Sequence, residues 1–519
     1  MNEAKKPTIL MILDGWGVAP PSRGNAISMA KKPNLDRLYS LYPSTVLGAT
    51  GKNVGLEGNK MSGSEAGHLN IGAGRIVKQD SYYITESIKN GTFFKNEAFV
   101  GAVQHVEKNK SRLHLLGLMS NEDSPHSDPE HFRALLKLAK INGIEEVFCH
   151  FFTDGRDSYP QSALENLAHF KKIMEEEGVG RIATLGGRFY GMDRTKIWKR
   201  IILAYDAMVY GRGGQANSPE EIIENAYKNG IKDEYIFPSV VMENDKPLAQ
   251  IKESDAVIFF NLRSDRARQF SKLFVAVNNQ KIIEEDMPIV DRIKNLYFVA
   301  MTSFGPDLDI HTAFMDKEVS HTLPVALQSL RQLYISETEK FAHITYFFNG
   351  GFANPIGGEE RKILKSKKVN SYADFPEMDA REITKEVCDS IENDKYDFIA
   401  LNFPNADMVG HTGDLKATIK AVEILDDQIG IISELVLKKG GNLIITADHG
   451  NADVMIDFNS DQPNTFHTKN PVPFVLVSDK YKENKLKGGG ILGNIAPTIL
   501  HILEIPKPAL MNLDSLLED

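Results

Sequence analysis

Short apolar runs recur along this chain, separated by stretches of helical periodicity, and run after run stops abruptly at charged residues. That alternation is the strongest constraint on the fold. Strands interleaved with helices make an α/β architecture with largely parallel sheets. In such sheets ligands bind beyond the carboxyl ends of the strands, so the residues at which the runs stop carry the functional information. The run Asn442–Thr446 reads as a strand buried on both faces, and it breaks into Asp448, His449 and Gly450. An isolated Asp-His-Gly is adequately explained as a polar strand cap. The rest of the chain, however, supplies partners for this pair.

At 519 residues the chain is too long for one ordinary core, which predicts two domains or a discontinuous arrangement. A hydrophobic content of 42% and a charged content of 25% are those of a soluble globular protein. The net charge of −10 argues against a general nucleic-acid binder and makes any local cluster of arginine informative. Cys149 and Cys388 sit in no CxxC pair, so neither a disulfide framework nor a zinc knuckle is expected, and a reducing cytoplasm is. The apolar run 8–13 ends too soon for a signal peptide or a membrane span.

That first run delivers Asp14-Gly15-Trp16-Gly17. A glycine-rich segment follows, containing Ser62-Gly63-Ser64-Glu65-Ala66-Gly67-His68. A serine that opens a helix is a candidate nucleophile or anion contact, with a plain N-cap as the alternative. Ile71-Gly72-Ala73-Gly74-Arg75 lacks the third glycine and the preceding strand of a dinucleotide loop and is discounted.

Residues 80–313 form a second α/β set. Its runs 113–119, 146–152, 182–185 and 256–260 stop, in turn, before His126, Arg156 and Asp157, Arg188 and Arg194, and Arg263 and Arg266. Arginine suits planar, bidentate recognition of carboxylate and phosphate. One arginine after a strand is ordinarily a solvated ion pair, but five at one end of one sheet predict a pocket for a small polyanion. Beyond run 295–301, a strand is expected over 341–347, preceded by Ser336-Glu337-Thr338-Glu339-Lys340. The run 396–401 leads to Asp407 and His411, four apart and so on one face of a helical turn. His467 precedes a last strand over 473–477.

Asp14, Asp407, His411, Asp448, His449 and His467, with Ser64, are about what two divalent cations need while leaving positions for substrate. Carboxylate and imidazole without thiolate suit manganese or zinc rather than calcium, and two-metal sites serve in-line phosphoryl displacement. The first and last thirds therefore read as a metal-dependent phosphoryl-handling domain, with an anion-gripping domain inserted between them.

Together, Asp14 to Gly17, Ser64 to His68, Thr153 to Asp157, Arg263 to Arg266, Asn402 to His411 and Thr446 to Asn451 resemble the cofactor-independent phosphoglycerate mutase family of the alkaline phosphatase superfamily. The resemblance runs over nearly the whole chain in the family's order. It implies two α/β domains, a discontinuous phosphatase-like metal domain over 1–79 and 315–519 and an inserted substrate-binding domain over 80–314. It further implies one cation on Asp407, His411 and His467 and a second on Asp14, Ser64, Asp448 and His449. These would be manganese, with zinc, cobalt or magnesium as alternatives, and no 2,3-bisphosphoglycerate would be needed. Ser64 would accept the phosphoryl group, with Ser62 a bystander and Lys340 beside the phosphoryl group. His126, Arg156, Asp157, Arg188, Arg194, Arg263 and Arg266 would hold the glycerate, Asp157 exchanging protons with its hydroxyls. In place of the family's Gly-Gly-Val before its His-Ser pair this chain has Asn121-Glu122-Asp123-Ser124-Pro125, one residue longer.

The implied reaction interconverts 3-phosphoglycerate and 2-phosphoglycerate in glycolysis and gluconeogenesis by two successive transfers through phosphoserine. Water would be excluded by closure about linkers near 77–81 and 312–315. A cytoplasmic monomer with a small-molecule substrate, and with neither nucleic acid nor membrane as partner, is expected. The rival readings are another superfamily phosphatase, sulfatase or phosphomutase, a metal-dependent binder of phosphorylated metabolites without turnover, and a catalytically inert homologue.

Overall fold

The computed structural model describes residues 6–275, 286–291, 293–305, 307–315, 319–369, 371–458 and 460–518. Two compact units emerge, one from Met1–Gln79 with Lys317–Asp519 and the other from Asp80–Asp316. In chain order the strands begin with β1 (Thr8–Leu13) and β2 (Ser44–Leu47). The second unit then contributes β3 (Leu113–Met119), β4 (Val147–Thr153), β5 (Arg181–Gly187), β6 (Gly214–Ala216) and β7 (Ser239–Glu243). It continues with β8 (Lys246–Pro247), β9 (Ala256–Phe259), β10 (Tyr297–Thr302) and β11 (His311–Phe314). The chain finishes with β12 (Gln332–Glu337), β13 (Glu359–Leu364), β14 (Phe398–Phe403), β15 (Asn442–Thr446) and β16 (Val472–Val477). Among the described residues no helix is long and apolar enough to cross a membrane.

The sheet of the first unit runs β13-β12-β14-β1-β15-β16-β2. Its first five strands are parallel, and β16 joins antiparallel to both β15 and β2. Every residue of β1, β12, β14, β15 and β16 is buried, whereas the edge strands β2 and β13 are partly exposed. That burial is why the central strands read as continuous apolar runs rather than as alternation. Truncating one of them, as in Ile444→Ala, would cost about 2–5 kcal/mol. One helix start is secured by a side chain drawn from elsewhere. Asp426, inside the Leu415–Lys438 helix, accepts from the N–H groups of Asn34 (3.0 Å) and Leu35 (2.8 Å), capping the Pro33–Leu41 helix.

One expectation is overturned. Residues 341–347 form no strand: β12 ends at Glu337, the chain turns into the Thr338–Ala342 helix, and a π-helical turn over His343–Phe347 continues it. A short apolar run cannot be assigned to strand or buried helix by periodicity alone. Here Gln332–Glu337 takes the place in the sheet, paired with β13 and β14. Lys340 consequently rides on a helix just past the carboxyl end of a strand.

The second sheet runs β11-β10-β9-β3-β4-β5-β7-β6, with β8 as a hairpin partner of β7. Parallel strands β9, β3, β4 and β5 lie side by side at its centre, which sets the four predicted charged loops next to one another. The stretch expected to act as a second linker is largely strand, β11 pairing parallel with β10.

A polar chain crosses this buried sheet. Asp255 Oδ2 lies 3.1 Å from His114 Nε2, His114 Nδ1 lies 2.9 Å from His150 Nε2, and His150 Nδ1 lies 2.9 Å from Thr184 Oγ1. With Asp255 ionised and both rings neutral, one set of protons satisfies every link. His114 donates to Asp255, His150 to His114, and the Thr184 hydroxyl to His150. Burial, and then the neighbouring His114, hold the His150 ring well below its usual 6.5. As pH falls through 6.5 the unfolded chain therefore takes up a proton that the folded unit refuses, and stability is lost on the acid side. Urea denaturation at pH 7.5 and 5.5 should show this loss. The loss should shrink in His150→Asn by up to about 1.4 kcal/mol per pH unit.

Candidate active site

In the first unit, chemistry gathers where the parallel strands end. β1 delivers Asp14, β15 delivers Asp448 and His449, and the Asn405–Gly410 helix after β14 carries Asp407, with His411 at its end. Ser64 is the first residue of the Ser64–Ala73 helix, and His467 lies in the segment before β16. Two glycines permit the crowding. Gly15 has φ +76°, and a Cβ there would stand 2.7 Å from the Asp407 Cα. A Cβ at Gly67 would stand 2.7 Å from both Cβ and O of Asp448, so the Ser64 helix lies directly against the Asp448 backbone.

Lys340 Nζ is the hub. It donates to Asp14 Oδ1 at 2.6 Å, Asp407 Oδ2 at 2.7 Å and Ser64 Oγ at 2.5 Å. Ser64 Oγ also lies 3.0 Å from His449 Nε2 and 3.3 Å from Asp14 Oδ1. Despite burial, Asp14, Asp407 and Asp448 raise the ammonium's affinity for its proton. Three buried carboxylates nevertheless face this one ammonium, and burial makes the excess charge costly. The strain shows at Asp14, whose carboxyl is pushed up to about 7, first by burial and then by Asp448. Asp407 is held well below the usual range against its burial, by His411 and Lys340. Burial pushes the His449 ring down to about 3, so it is a neutral imidazole with a lone pair to offer.

The donors fit divalent cations. His411 Nδ1 faces Thr465 O at 2.6 Å and His467 Nδ1 faces Ser62 O at 2.7 Å. A carbonyl only accepts, so both rings carry the proton on Nδ1. Their Nε2 atoms lie 3.2 Å apart, and each lies 3.2 Å from Asp407 Oδ1. Three such atoms at that spacing repel unless a proton or a metal cation lies among them, and an Nδ1–H anchored on a carbonyl is the usual support of a ligating imidazole. Asp407, His411 and His467 form one such cluster, Asp14, Asp407 and His449 a second, and Asp14, His68 and Asp448 a third. The expected second set, Asp14, Ser64, Asp448 and His449, is contiguous here, Asp448 Oδ2 lying 3.4 Å from His449 Nε2.

In the second unit the charged loops meet as well, but not as five bare cations. Arg188 donates from Nη1 to Asp154 Oδ1 at 2.6 Å and to Asp157 Oδ2 at 2.5 Å. Its Nη2 lies 3.0 Å from His126 Nε2. Arg194 pairs with Asp265 at 2.9 Å, Arg263 lies 3.6 Å from the same carboxyl, and Arg156 lies 3.9 Å from Glu234. Arg266 donates to Met192 O at 3.2 Å. Burial, then Arg194, Arg156 and Arg188, weaken its hold on its proton, so these guanidinium groups feel one another. Burial and Arg188 keep the His126 ring neutral, well below its usual value. His126 joins the cluster in spite of its lengthened loop.

A sequence profile of the metalloenzyme superfamily matches residues 6–507. The 2,3-bisphosphoglycerate-independent phosphoglycerate mutase of Clostridioides difficile is 47% identical over 516 residues, 99% of each chain. Its counterpart from Clostridium perfringens is 46% identical over 513 residues, 98% of each. The chain belongs to this mutase family. Among solved structures, the phosphoglycerate mutase of Leishmania mexicana, determined at low cobalt concentration, is similar with a TM-score of 0.90 and 28% identity. That match covers 100% of this chain and 99% of that one. The chain is thus an isomerase of the phosphoglycerate mutase class.

For a phosphoglycerate mutase, several residues matter that pattern reading passed over. Asn402 donates to Asp14 Oδ2 at 2.8 Å and to His68 Nε2 at 3.1 Å, and Asn451 donates to Asp407 Oδ1 at 3.1 Å. His68 Nδ1 lies 2.9 Å from Ser64 O and 3.3 Å from Asp448 Oδ2. With Nε2 accepting from Asn402 and Nδ1 donating, both its nitrogens are engaged, and the ring orients Asp448 rather than ligating. In the second unit Asp154 accepts from the N–H groups of Arg156 (3.1 Å) and Asp157 (3.0 Å), and from Ser120 Oγ at 2.6 Å. The signal that could have found Asn402, Asn451 and Asp154 was their place at strand ends beside the charged residues already chosen.

The Gly67 contact is testable. Gly67→Ala should push the Ser64 helix off Asp448 and lower mutase turnover roughly 100-fold. Far-UV circular dichroism should stay near wild type, since the lesion is confined to one close approach.

Proposed function

We propose that this mutase interconverts 3-phosphoglycerate and 2-phosphoglycerate by passing the phosphoryl group through Ser64. The observation that carries the reading is the surroundings of the Ser64 oxygen. It is buried at the first turn of a helix, with Lys340 Nζ at 2.5 Å, His449 Nε2 at 3.0 Å and Asp14 Oδ1 at 3.3 Å. A hydroxyl so placed has bases beside it to accept its proton and a cation beside it to offset charge on a phosphoryl oxygen. Helical N–H groups at the same end favour an anion there.

Two divalent cations, one on Asp407, His411 and His467 and one on Asp14, Ser64, Asp448 and His449, would supply Lewis-acid stabilisation of phosphoryl oxygens and a lowered hydroxyl pKa. Manganese suits this thiolate-free mixture of carboxylate and imidazole, with zinc, cobalt and magnesium as alternatives. Lys340 would neutralise charge on the oxygen that leaves.

The inserted domain, residues 80–314 by the sequence reading, would grip the glycerate. Arg156, Arg194, Arg263 and Arg266 would bind its carboxylate and hydroxyls through oriented N–H donors. Arg188, bound to Asp154 and Asp157, would act mainly by fixing Asp157 and His126. Asp157 would exchange protons with the two substrate hydroxyls in turn. Holding the glycerate while phosphoserine exists requires that water be kept out. Two thiols without a disulfide, Cys149 and Cys388, fit a cytoplasmic enzyme, and we assign it as a monomer without nucleic-acid or membrane partners.

The test follows 2-phosphoglycerate formation from 3-phosphoglycerate without 2,3-bisphosphoglycerate, using protein stripped of metal and then resupplied with manganese. Activity should vanish on stripping, return with manganese, and fall by about 1,000-fold or more in Ser64→Ala. Release of inorganic phosphate without 2-phosphoglycerate would instead mark a phosphatase. Metal-dependent substrate binding without turnover would mark a binder.

A further inference from the structure

Three segments that carry candidate ligands in the first unit meet around a side chain that no step above uses. Asp453 is 1% exposed. Its Oδ2 accepts from Thr468 Oγ1 at 2.8 Å and from Asn470 Nδ2 at 2.7 Å. Thr468 directly follows His467, and its backbone N–H donates to Gly450 O at 2.9 Å, in an antiparallel bridge of these two residues. Gly450 directly follows His449. Packing around the carboxyl group is tight. A Cβ at Gly17 would lie 2.3 Å from Asp453 Cγ, and one at Gly450 would lie 2.6 Å from Asp453 Oδ1 and 2.2 Å from Thr468 Oγ1. Beyond it, Val18 donates to Pro471 O at 2.7 Å. The turn after Asp14, the turn after Asp448 and the arm bearing His467 are thus tied at one point.

His467 is the ligand candidate most in need of such a tie. Asp14, Asp407 and Asp448 stand at or near the ends of strands or on a helix, whereas residues 467–471 form neither helix nor strand. A ligand on irregular backbone is only as well placed as the contacts that hold that backbone. Those contacts include the Nδ1 bond to Ser62 O, the stack of the ring on His449 (centroids 3.8 Å apart, 24° between planes), the Gly450 bridge, the Val18 bond to Pro471 O, and the two bonds to Asp453. Removing Asp453 would leave the buried Thr468 hydroxyl and the half-buried Asn470 amide without that acceptor, and both belong to the same arm.

We infer that Asp453 is a positioning residue that pins the His467 arm to the Asp448–His449 turn and thereby sets the affinity of the cation held by Asp407, His411 and His467. The inference rests on the two-cation reading above. It is specific in that it assigns the effect to one of the two ions, and it asks nothing of Asp453 in the transfer itself.

Isothermal titration of metal-stripped protein with manganese tests it, with far-UV circular dichroism as a check on folding. Wild type should take up two ions. Asp453→Ala should bind one of them about 10- to 100-fold more weakly and the other nearly as wild type. Asp453→Asn offers an oxygen to Thr468 and Asn470 in almost the same shape and should recover most of the affinity. Thr468→Val, which exchanges only a hydroxyl for a methyl, should weaken the same ion to a smaller extent, and it serves if Asp453→Ala does not fold. Unchanged binding in the folded variants, or equal weakening of both ions, would overturn the inference while leaving the two-cation reading intact. A wild-type protein that takes up no manganese would overturn that reading instead, and this inference with it.

Discussion

Buried negative charge at the carboxyl ends of β1, β14 and β15 is the constraint on which the first unit depends. Asp14, Asp407 and Asp448 are buried within reach of one ammonium, that of Lys340. Carboxylates taken out of water this way are tolerable only when paired and hydrogen-bonded. Much of the local architecture meets that demand. Asn402 and Asn451 donate to two of the carboxylates, Gly15 and Gly67 allow backbones to close in, and the Thr338–Ala342 helix delivers Lys340 into the centre. His449 contributes as a neutral lone-pair donor, as its low proton affinity shows. A site arranged in this way stays short of positive charge, which is the property that divalent cations satisfy and that phosphoryl transfer uses.

The second unit solves the opposite problem. It gathers guanidinium groups, and it disperses their repulsion by pairing Arg188 with Asp154 and Asp157, and Arg194 with Asp265. What remains for a ligand is a set of fixed N–H donors rather than a pool of excess charge. Donors held in place before the ligand arrives lose little on binding and act strongly in a dry setting. Asp154 is central to that fixity, because it accepts simultaneously from the backbone of Arg156 and Asp157, from Ser120 and from Arg188. The parallel order β9-β3-β4-β5 makes this possible by setting four loops from distant parts of the sequence side by side.

In both units the residues that bear the chemistry are held by others that do none. His68, Asn402 and Asp453 in the first unit and Asp154 in the second are buried polar groups whose partners are candidate ligands or groups on the segments that bear them. Such groups are costly to bury unless satisfied, so each fixes a geometry rather than tolerating a range of them. Asp453 is the clearest instance, since the segment it restrains has no regular structure of its own.

Much of this was legible in the sequence. The apolar runs marked most of the strands, and the charged residues after them marked the two clusters, because a parallel strand buried on both faces must be apolar and a ligand must be met at its end. Motif order carried the family. Two kinds of feature were not legible. The stretch 341–347 has the composition of a strand but winds as helix, because Gln332–Glu337 already fills the place beside β14. Likewise the pairing of Arg188 with Asp154, the engagement of both His68 nitrogens and the tie from Asp453 to Thr468 join residues up to 334 positions apart in sequence only through packing. The sequence by itself determined most of the elements and which side chains reach the ends of the sheets, since these follow from local periodicity and residue chemistry. Only the tertiary structure decided which charges neutralise one another and which ring nitrogen carries the proton, because those depend on distances of a few ångströms between segments that the chain order keeps apart.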